Sequence, residues 1–213
     1  MQANDRWAEF WRPLGVAGNT ASHFAEVERR YAEPHRAYHN LAHVMDCLEK
    51  FDSARQLARN PVAVEMALWY HDAVYDPRAM DNEERSAALA AQVADEAGLA
   101  DTLKSQVIQL ILATKKHDAT VSEDAPLVVD IDLSILGAAP PRFDEYECQI
   151  RQEYDWVPQD SFAVGRTSIL QGFLARPAIF STETFRGRFE QQARENLKCS
   201  IARLASQLQK STA

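Results

Sequence analysis

Apolar residues recur along this chain at the spacing of a helix, and almost nowhere at the alternation of an exposed strand. Leu41, Val44, Met45, Leu48 and Phe51 follow one stripe of the 3.6-residue repeat. Leu103, Val107, Leu110, Ile111 and Thr114 follow another, with Asp101 placed to cap a helix running to about Lys116. Asn60-Pro61 reads as an N-cap followed by proline at the first helical position. The helix it opens, over 61–75, is expected to bury Val64, Ala67, Leu68, His71 and Val74 along one face. Further helices are expected over about 4–12, 20–32, 82–97, 142–154, 160–175 and 182–208. The apolar segment 126–136, VVDIDLSIL at its centre, has a strand-like composition but no evident partner strand, so it is read as helix or helix-flanking turn. Seven glycines and nine prolines in 213 residues are too few for the many tight turns of an all-β chain. No repeat, low-complexity tract or long linker interrupts the pattern. The expectation is one all-α, multi-helix domain spanning residues 1–213.

Charge and cysteine usage narrow the function classes. A net charge of −8 argues against a general nucleic-acid surface or an anionic-membrane surface, and leaves room for a local basic pocket. Cys47, Cys148 and Cys199 are odd in number and widely spaced, without a CxxC pair, and read as reduced thiols. The N-terminal MQANDRWAEFWRPLG lacks a basic region and a long apolar run, so no signal peptide is expected. No apolar stretch approaches the roughly 20 residues needed to span a bilayer. The expected location is the cytoplasm.

The chemistry-bearing residues stand out against this helical background. In RAYHNLAHVMDCL, residues 36–48, His39 and His43 are four apart, on a face expected to differ from the apolar stripe. His71 sits on the apolar stripe of its helix with Asp72 beside it. A lone buried histidine is commonly a core residue satisfied by one hydrogen bond. A buried His-Asp pair demands more, because an ionised carboxylate needs a cation or a hydrogen-bond cluster. Asp130 and Asp132 interrupt the apolar VVDIDLSIL. Asp130 suits either an N-cap or a ligand, and Asp132, enclosed by Ile131, Leu133, Ile135 and Leu136, is the better buried ligand. His43, His71, Asp72 and Asp132 thus form a nitrogen and oxygen set that suits Mn, Fe, Co, Ni, Zn or Mg.

The order H…HD…D resembles the HD superfamily of metal-dependent phosphohydrolases. YHNLAHVMD is similar to the YHNxxHAxD motif of the cyclic-nucleotide phosphodiesterases in that superfamily, WYHDAVYD to its helix with the paired HD, and DIDLS to the segment that supplies the last aspartate. The whole chain, with DNEERSA, TKKH and the IRQEY stretch, also resembles a bacterial group of HD-domain proteins. The resemblance implies an HD-domain-like helical bundle with a divalent metal held by His43, His71, Asp72 and Asp132. It implies that Asp72 bridges if two ions bind, and that His39 protonates the leaving oxygen. Departures limit the substrate. The glutamine region with which the phosphodiesterases grip their nucleotide is missing. The HDxxED motif of the ppGpp hydrolases is here HDAVYD, with Tyr75 in place of the glutamate and Asp76 retained.

Around this set, DNEERSA reads either as a polar helix start, with Asp81 as cap, or as a source of Glu83 or Glu84 for orienting a water. Lys115, Lys116 and His117 complement a helix C-terminus, and Lys116 and His117 hold a phosphate if that end faces the metal. Arg36, Arg151 and Arg166 are further candidates for phosphate binding, since guanidinium forks match phosphate oxygens. Trp7 and Trp11, at helical spacing, read as packing. The expected activity is hydrolysis of a phosphomonoester or phosphodiester, of a nucleotide or other small phosphorylated metabolite. Its proton donors or acceptors are drawn from His39, Asp76 and Glu84. The alternative is a nucleotide- or metal-binding regulatory module with little turnover. An oxygenase with a di-iron site demands more histidines than the chain supplies.

Overall fold

The helical periods close into ten α-helices in the computed structural model, which describes residues 2–16 and 20–211. These are α1 (Ala3–Trp11), α2 (Thr20–Tyr31), α3 (Leu41–Ala54), α4 (Pro61–Tyr70), α5 (Asn82–Glu96), α6 (Asp101–Lys116), α7 (Ala125–Leu133), α8 (Pro140–Glu153), α9 (Gln159–Leu174) and α10 (Glu183–Ser211). Three short 3-10 segments join them, and the described residues contain no strand. The fold is all-α. Residues 126–136 form α7 and the 3-10 turn Ser134–Gly137 that follows it. No helix among the described residues is long and apolar enough to cross a membrane. The chain divides into two compact units, Met1–Ile131 and Asp132–Ala213.

In the first unit α4 is the central element, lying against α3, α5 and α6. The sequence suggests one buried stripe on this helix, but every residue from Ala63 to Tyr70 is buried. A helix apolar around its whole circumference is stable only when neighbours cover all of it. Its start is fixed by Asn60, whose side-chain oxygen accepts from the Ala63 amide at 3.2 Å, with Pro61 in the first turn. Trp7 of α1 meets Trp69 edge-on at 5.1 Å, and Trp7 and Trp11 are both core residues, which agrees with packing.

The charged residue within this buried helix, Glu65, has a dedicated set of partners. Arg6 Nε donates to it at 2.9 Å, and Arg55 pairs with its other oxygen. Arg6 also donates to Asp52 at 2.7 Å. Burial opposes the charge on Arg6, and the adjacent Asp52 and Glu65 more than compensate, so its pKa is raised.

Helix α4 stops at Tyr70 rather than continuing to residue 75, and the reason lies in neighbouring side chains. Ser86 Oγ of α5 accepts from the Val74 amide at 3.0 Å and donates to the Val74 carbonyl at 3.2 Å. Arg36 donates to the carbonyls of Asp72 at 2.7 Å and Ala73 at 3.1 Å. Main-chain groups that would otherwise extend the helix are therefore satisfied by side chains.

In the second unit, α10 packs on α9 and on the 3-10 turn Ser134–Gly137. Asn196 of α10 donates to the carbonyls of Leu136 at 2.9 Å and Ala138 at 2.8 Å. Gly137 permits this approach, since a Cβ there would lie 2.6 Å from the Phe189 carbonyl oxygen. Arg194 caps the end of α9 by donating to the Leu174 carbonyl at 3.1 Å.

Two stability measurements check these arrangements. Glu65→Ala leaves Arg6 buried without a full complement of charge, and should cost about 3–5 kcal/mol in urea unfolding. Gly137→Ala should lower the free energy of urea unfolding by about 1–3 kcal/mol, because the added methyl meets main chain that cannot rotate away.

Candidate metal centre

His43 and His71 meet at the heart of the first unit. Asn40, not a residue within a longer helix, sets the geometry: its side-chain oxygen accepts from the amides of Ala42 at 2.9 Å and His43 at 3.4 Å. Helix α3 therefore begins at Leu41, and His39 lies before it, outside the helix. The expectation of two imidazoles on one helical face is corrected by this cap. The buried face of α3 comprises His43, Val44, Cys47, Leu48, Phe51 and Ala54, so His43 belongs to the apolar stripe rather than to another side.

His71 occupies the C-cap position of α4, and Asp72 follows it. His71 Nδ1 lies 3.0 Å from the Leu68 carbonyl, and a carbonyl oxygen only accepts, so Nδ1 carries the hydrogen. In the neutral ring this turns the Nε2 lone pair toward His43, whose Nε2 is 3.1 Å away. Asp72 Oδ2 stands 3.2 Å from His71 Nε2 and 3.6 Å from His43 Nε2. The imidazoles are 3% and 1% exposed. Burial works against ionisation of Asp72, but the His71, His39 and His43 imidazoles, when protonated, outweigh it and hold the carboxyl well below the usual carboxylate range.

These three atoms form a triangle with sides of 3.1, 3.2 and 3.6 Å. A point equidistant from its corners lies about 1.9 Å from each, close to the ~2.0–2.2 Å bonds that imidazole and carboxylate make to divalent metals. The donor atoms fit a metal ion, and the hydrogen bond from His71 to Leu68 is the kind of outer contact that orients a ligating ring.

A second grouping around the same imidazoles leaves out Asp72: one ligating atom each from His43, Cys47 and His71 lies within 4.8 Å of the other two. Asp132 lies on helix α7, at the first residue of the second unit. The sequence favours Asp132 over Asp130 as the enclosed carboxylate, whereas Asp130 is fully buried and Asp132 half-buried. Cys47 is absent from the sequence-based set because a thiol on an apolar stripe reads as filling. Its one signal was the four-residue spacing from His43.

The remaining expected residues are distributed as follows. His39 stacks on Tyr75 at 4.3 Å and lies edge-on to His43 at 6.1 Å, at the margin of the cluster. Arg36 is buried, with Nε donating to Glu33 at 2.9 Å and one terminal nitrogen donating to the carbonyls of His39 at 2.9 Å and Asp72 at 2.7 Å. It is a strut between the two histidine segments rather than an open phosphate fork. Asp76 is exposed and accepts from the Arg78 amide at 2.9 Å, which makes it a turn residue. Glu84 is exposed and paired with Lys115. Its neighbour Glu83 is half-buried, and burial, with Asp72 adding, pushes its carboxyl up. Lys116 is exposed, and His117 ends α6 with a φ of 50°. Arg151 donates to Gln159 at 3.0 Å, to the Val157 carbonyl at 2.9 Å and to the Tyr154 carbonyl, which closes the α8–α9 connection. Arg166 is buried and donates to the Tyr146 hydroxyl at 2.9 Å. Burial, with Glu147 and Asp132 adding, raises the Tyr146 phenol against the opposing charge of Arg166.

No family model, curated protein or solved structure matches the chain. What the described residues do establish is an all-α chain with a His43, Cys47 and His71 group able to hold a metal ion.

Arg36→Gln leaves the carbonyls of His39, Asp72 and Ala73 without their cationic donor. It should cost about 2–5 kcal/mol in urea unfolding. A substitution that left stability unchanged would show that the strut is dispensable.

Proposed function

We propose that this chain is a metal-dependent phosphohydrolase of the HD superfamily type, hydrolysing a phosphomonoester or phosphodiester of a nucleotide or another small phosphorylated metabolite. The observation that supports it is convergence: His43 and the His71-Asp72 pair, far apart in sequence, bring two imidazole nitrogens and a carboxylate oxygen within ligand distance of one point, and the resemblance adds Asp132 as the last ligand. The same residues in the same order carry the resemblance to that superfamily.

A divalent cation bound there supplies Lewis acidity toward water and toward phosphoryl oxygens. The rest falls to the protein. His71, with Nδ1 committed to Leu68, keeps its other nitrogen free of hydrogen. Asp72 stays ionised and supplies the negative charge that a buried cation requires. In this reading His39, which stacks on Tyr75, passes a proton to a leaving oxygen. Arg36 positions both His39 and Asp72 through their carbonyls. Glu83, with its raised carboxyl, is better placed than Glu84 to exchange a proton with water near Asp72.

A second reading, a regulatory module that binds a nucleotide or metal with little turnover, draws on one observation. Arg36 and Arg151 direct their donors to protein carbonyls, so two of the expected phosphate forks are already occupied.

Both readings meet in one screen of nucleotides and general phosphoesters with Mn, Co, Ni, Mg, Fe and Zn. Hydrolysis supported by one or more of these ions is expected, and Asp72→Ala should lose both the metal and the activity. Saturable nucleotide binding without turnover would favour the module. Full activity in Asp72→Ala with its metal retained would overturn the assignment.

A further inference from the structure

We propose that the cavity between α2 and α5 binds a small aliphatic amino carboxylate, with an ammonium group at one end and a carboxylate at the other.

The cavity lies in the first unit, has a volume of about 240 Å³, and is lined by none of the candidate metal ligands. Pockets for drug-sized ligands run to roughly 300–1,000 Å³, so this one suits a smaller molecule. Two helical faces form its walls. His23, Glu26, Val27 and Arg30 of α2 recur at intervals of three and four residues, and Gln92, Val93 and Glu96 share a face of α5. Helices that only pack on one another meet through apolar stripes. These two instead set ionisable and amide groups around the buried Val27 and Val93, which is the composition of a ligand site.

Tyr70, the last residue of α4, is also part of the lining. It is 1% exposed, and its hydroxyl has no hydrogen-bond partner among the described residues. A buried hydroxyl left unmatched is costly, so a polar group that answers it from the cavity is favoured.

The charges are separated along the cavity. His23 Nε2 lies 3.7 Å from one Glu96 oxygen, and Gln92 donates to the other at 2.8 Å. Burial, with the Glu96 carboxylate adding, raises the Tyr70 phenol, which sets Tyr70 at this same end. Arg30 stands seven residues further along α2 than His23, about 10 Å away. Its Nε donates to Glu26 at 2.6 Å, and a guanidinium carries two further nitrogens for a carboxylate. Glu26 is answered by Arg29 as well as Arg30, whereas Glu96 meets an imidazole and an amide. Glu96, with the Tyr70 hydroxyl beside it, is therefore the acceptor for an ammonium group.

The test is saturation-transfer NMR of the whole chain with 6-aminohexanoate, which is charged at both ends, against hexanoate and hexylammonium, which each keep one charge. Wild type should bind 6-aminohexanoate saturably and at least about tenfold more tightly than either, since a charged hydrogen bond contributes about that factor. Arg30→Gln should weaken binding about tenfold, and Tyr70→Phe about three- to tenfold. Tyr70→Phe should also leave the urea midpoint unchanged or raised, because the hydroxyl it removes bonds to no group of the chain. Absence of saturable binding, or equal binding of the three compounds, would overturn the proposal. Unchanged affinity in either folded variant would overturn it too, and a lowered urea midpoint in Tyr70→Phe would show that the hydroxyl serves the fold instead. If a variant fails to fold by circular dichroism, the comparison of the three compounds on wild type still decides.

Discussion

Helix α4 is buried on every side, and that single constraint organises the first unit. A helix of this kind has no solvent face on which to place polar groups, so each polar group it carries must be answered from outside. Glu65 is answered by Arg6 and Arg55. The helix end is answered by Arg36 and Ser86, which take up main-chain groups between Asp72 and Val74. Because the helix is forced to stop there, His71 and Asp72 emerge at a fixed point beside α3 rather than along a solvent face. The candidate metal centre is thus a consequence of how a fully buried helix terminates.

The two histidine segments are tied to each other before any metal is considered. Arg36 reaches from the residue run ahead of α3 to the carbonyls behind His71, and its guanidinium lies over the Tyr31 and Tyr75 rings. Asn40 sets the start of α3 and so the direction of His43. Leu68 sets the tautomer of His71 through its carbonyl. Preorganisation of this kind lowers the ordering cost of placing two imidazoles and a carboxylate within ligand distance of one another. The protein's own hydrogen bonds hold the donors close to where a cation would need them.

Much of this was legible in the sequence, and the parts that were not share a physical cause. Periodicity reports which residues face a core, so the helices and the buried character of His71 could be read directly. The N-cap at Asn60 was legible for the same reason that its partner at Asn40 was missed: the proline after Asn60 marks a helix start, and Leu41 after Asn40 does not. That omission carried His39 into a helix it does not belong to. Cys47 was hidden because the thiol side chain is counted as apolar until its neighbours are known. The role of Arg36 was illegible because carbonyls as partners leave no trace in side-chain composition. Asp130 and Asp132 are two apart on a helix, and the apolar neighbours that favoured Asp132 surround Asp130 as well, which is the more enclosed of the two.

The central claim is that the cluster around His43 and His71 binds a divalent metal, and equilibrium dialysis against zinc(II) tests it most directly. A metal centre here predicts saturable zinc binding by the wild-type chain and its loss in His71→Ala, with the helical circular dichroism of both proteins alike. Zinc bound equally by wild type and a folded His71→Ala, or by neither, would contradict it.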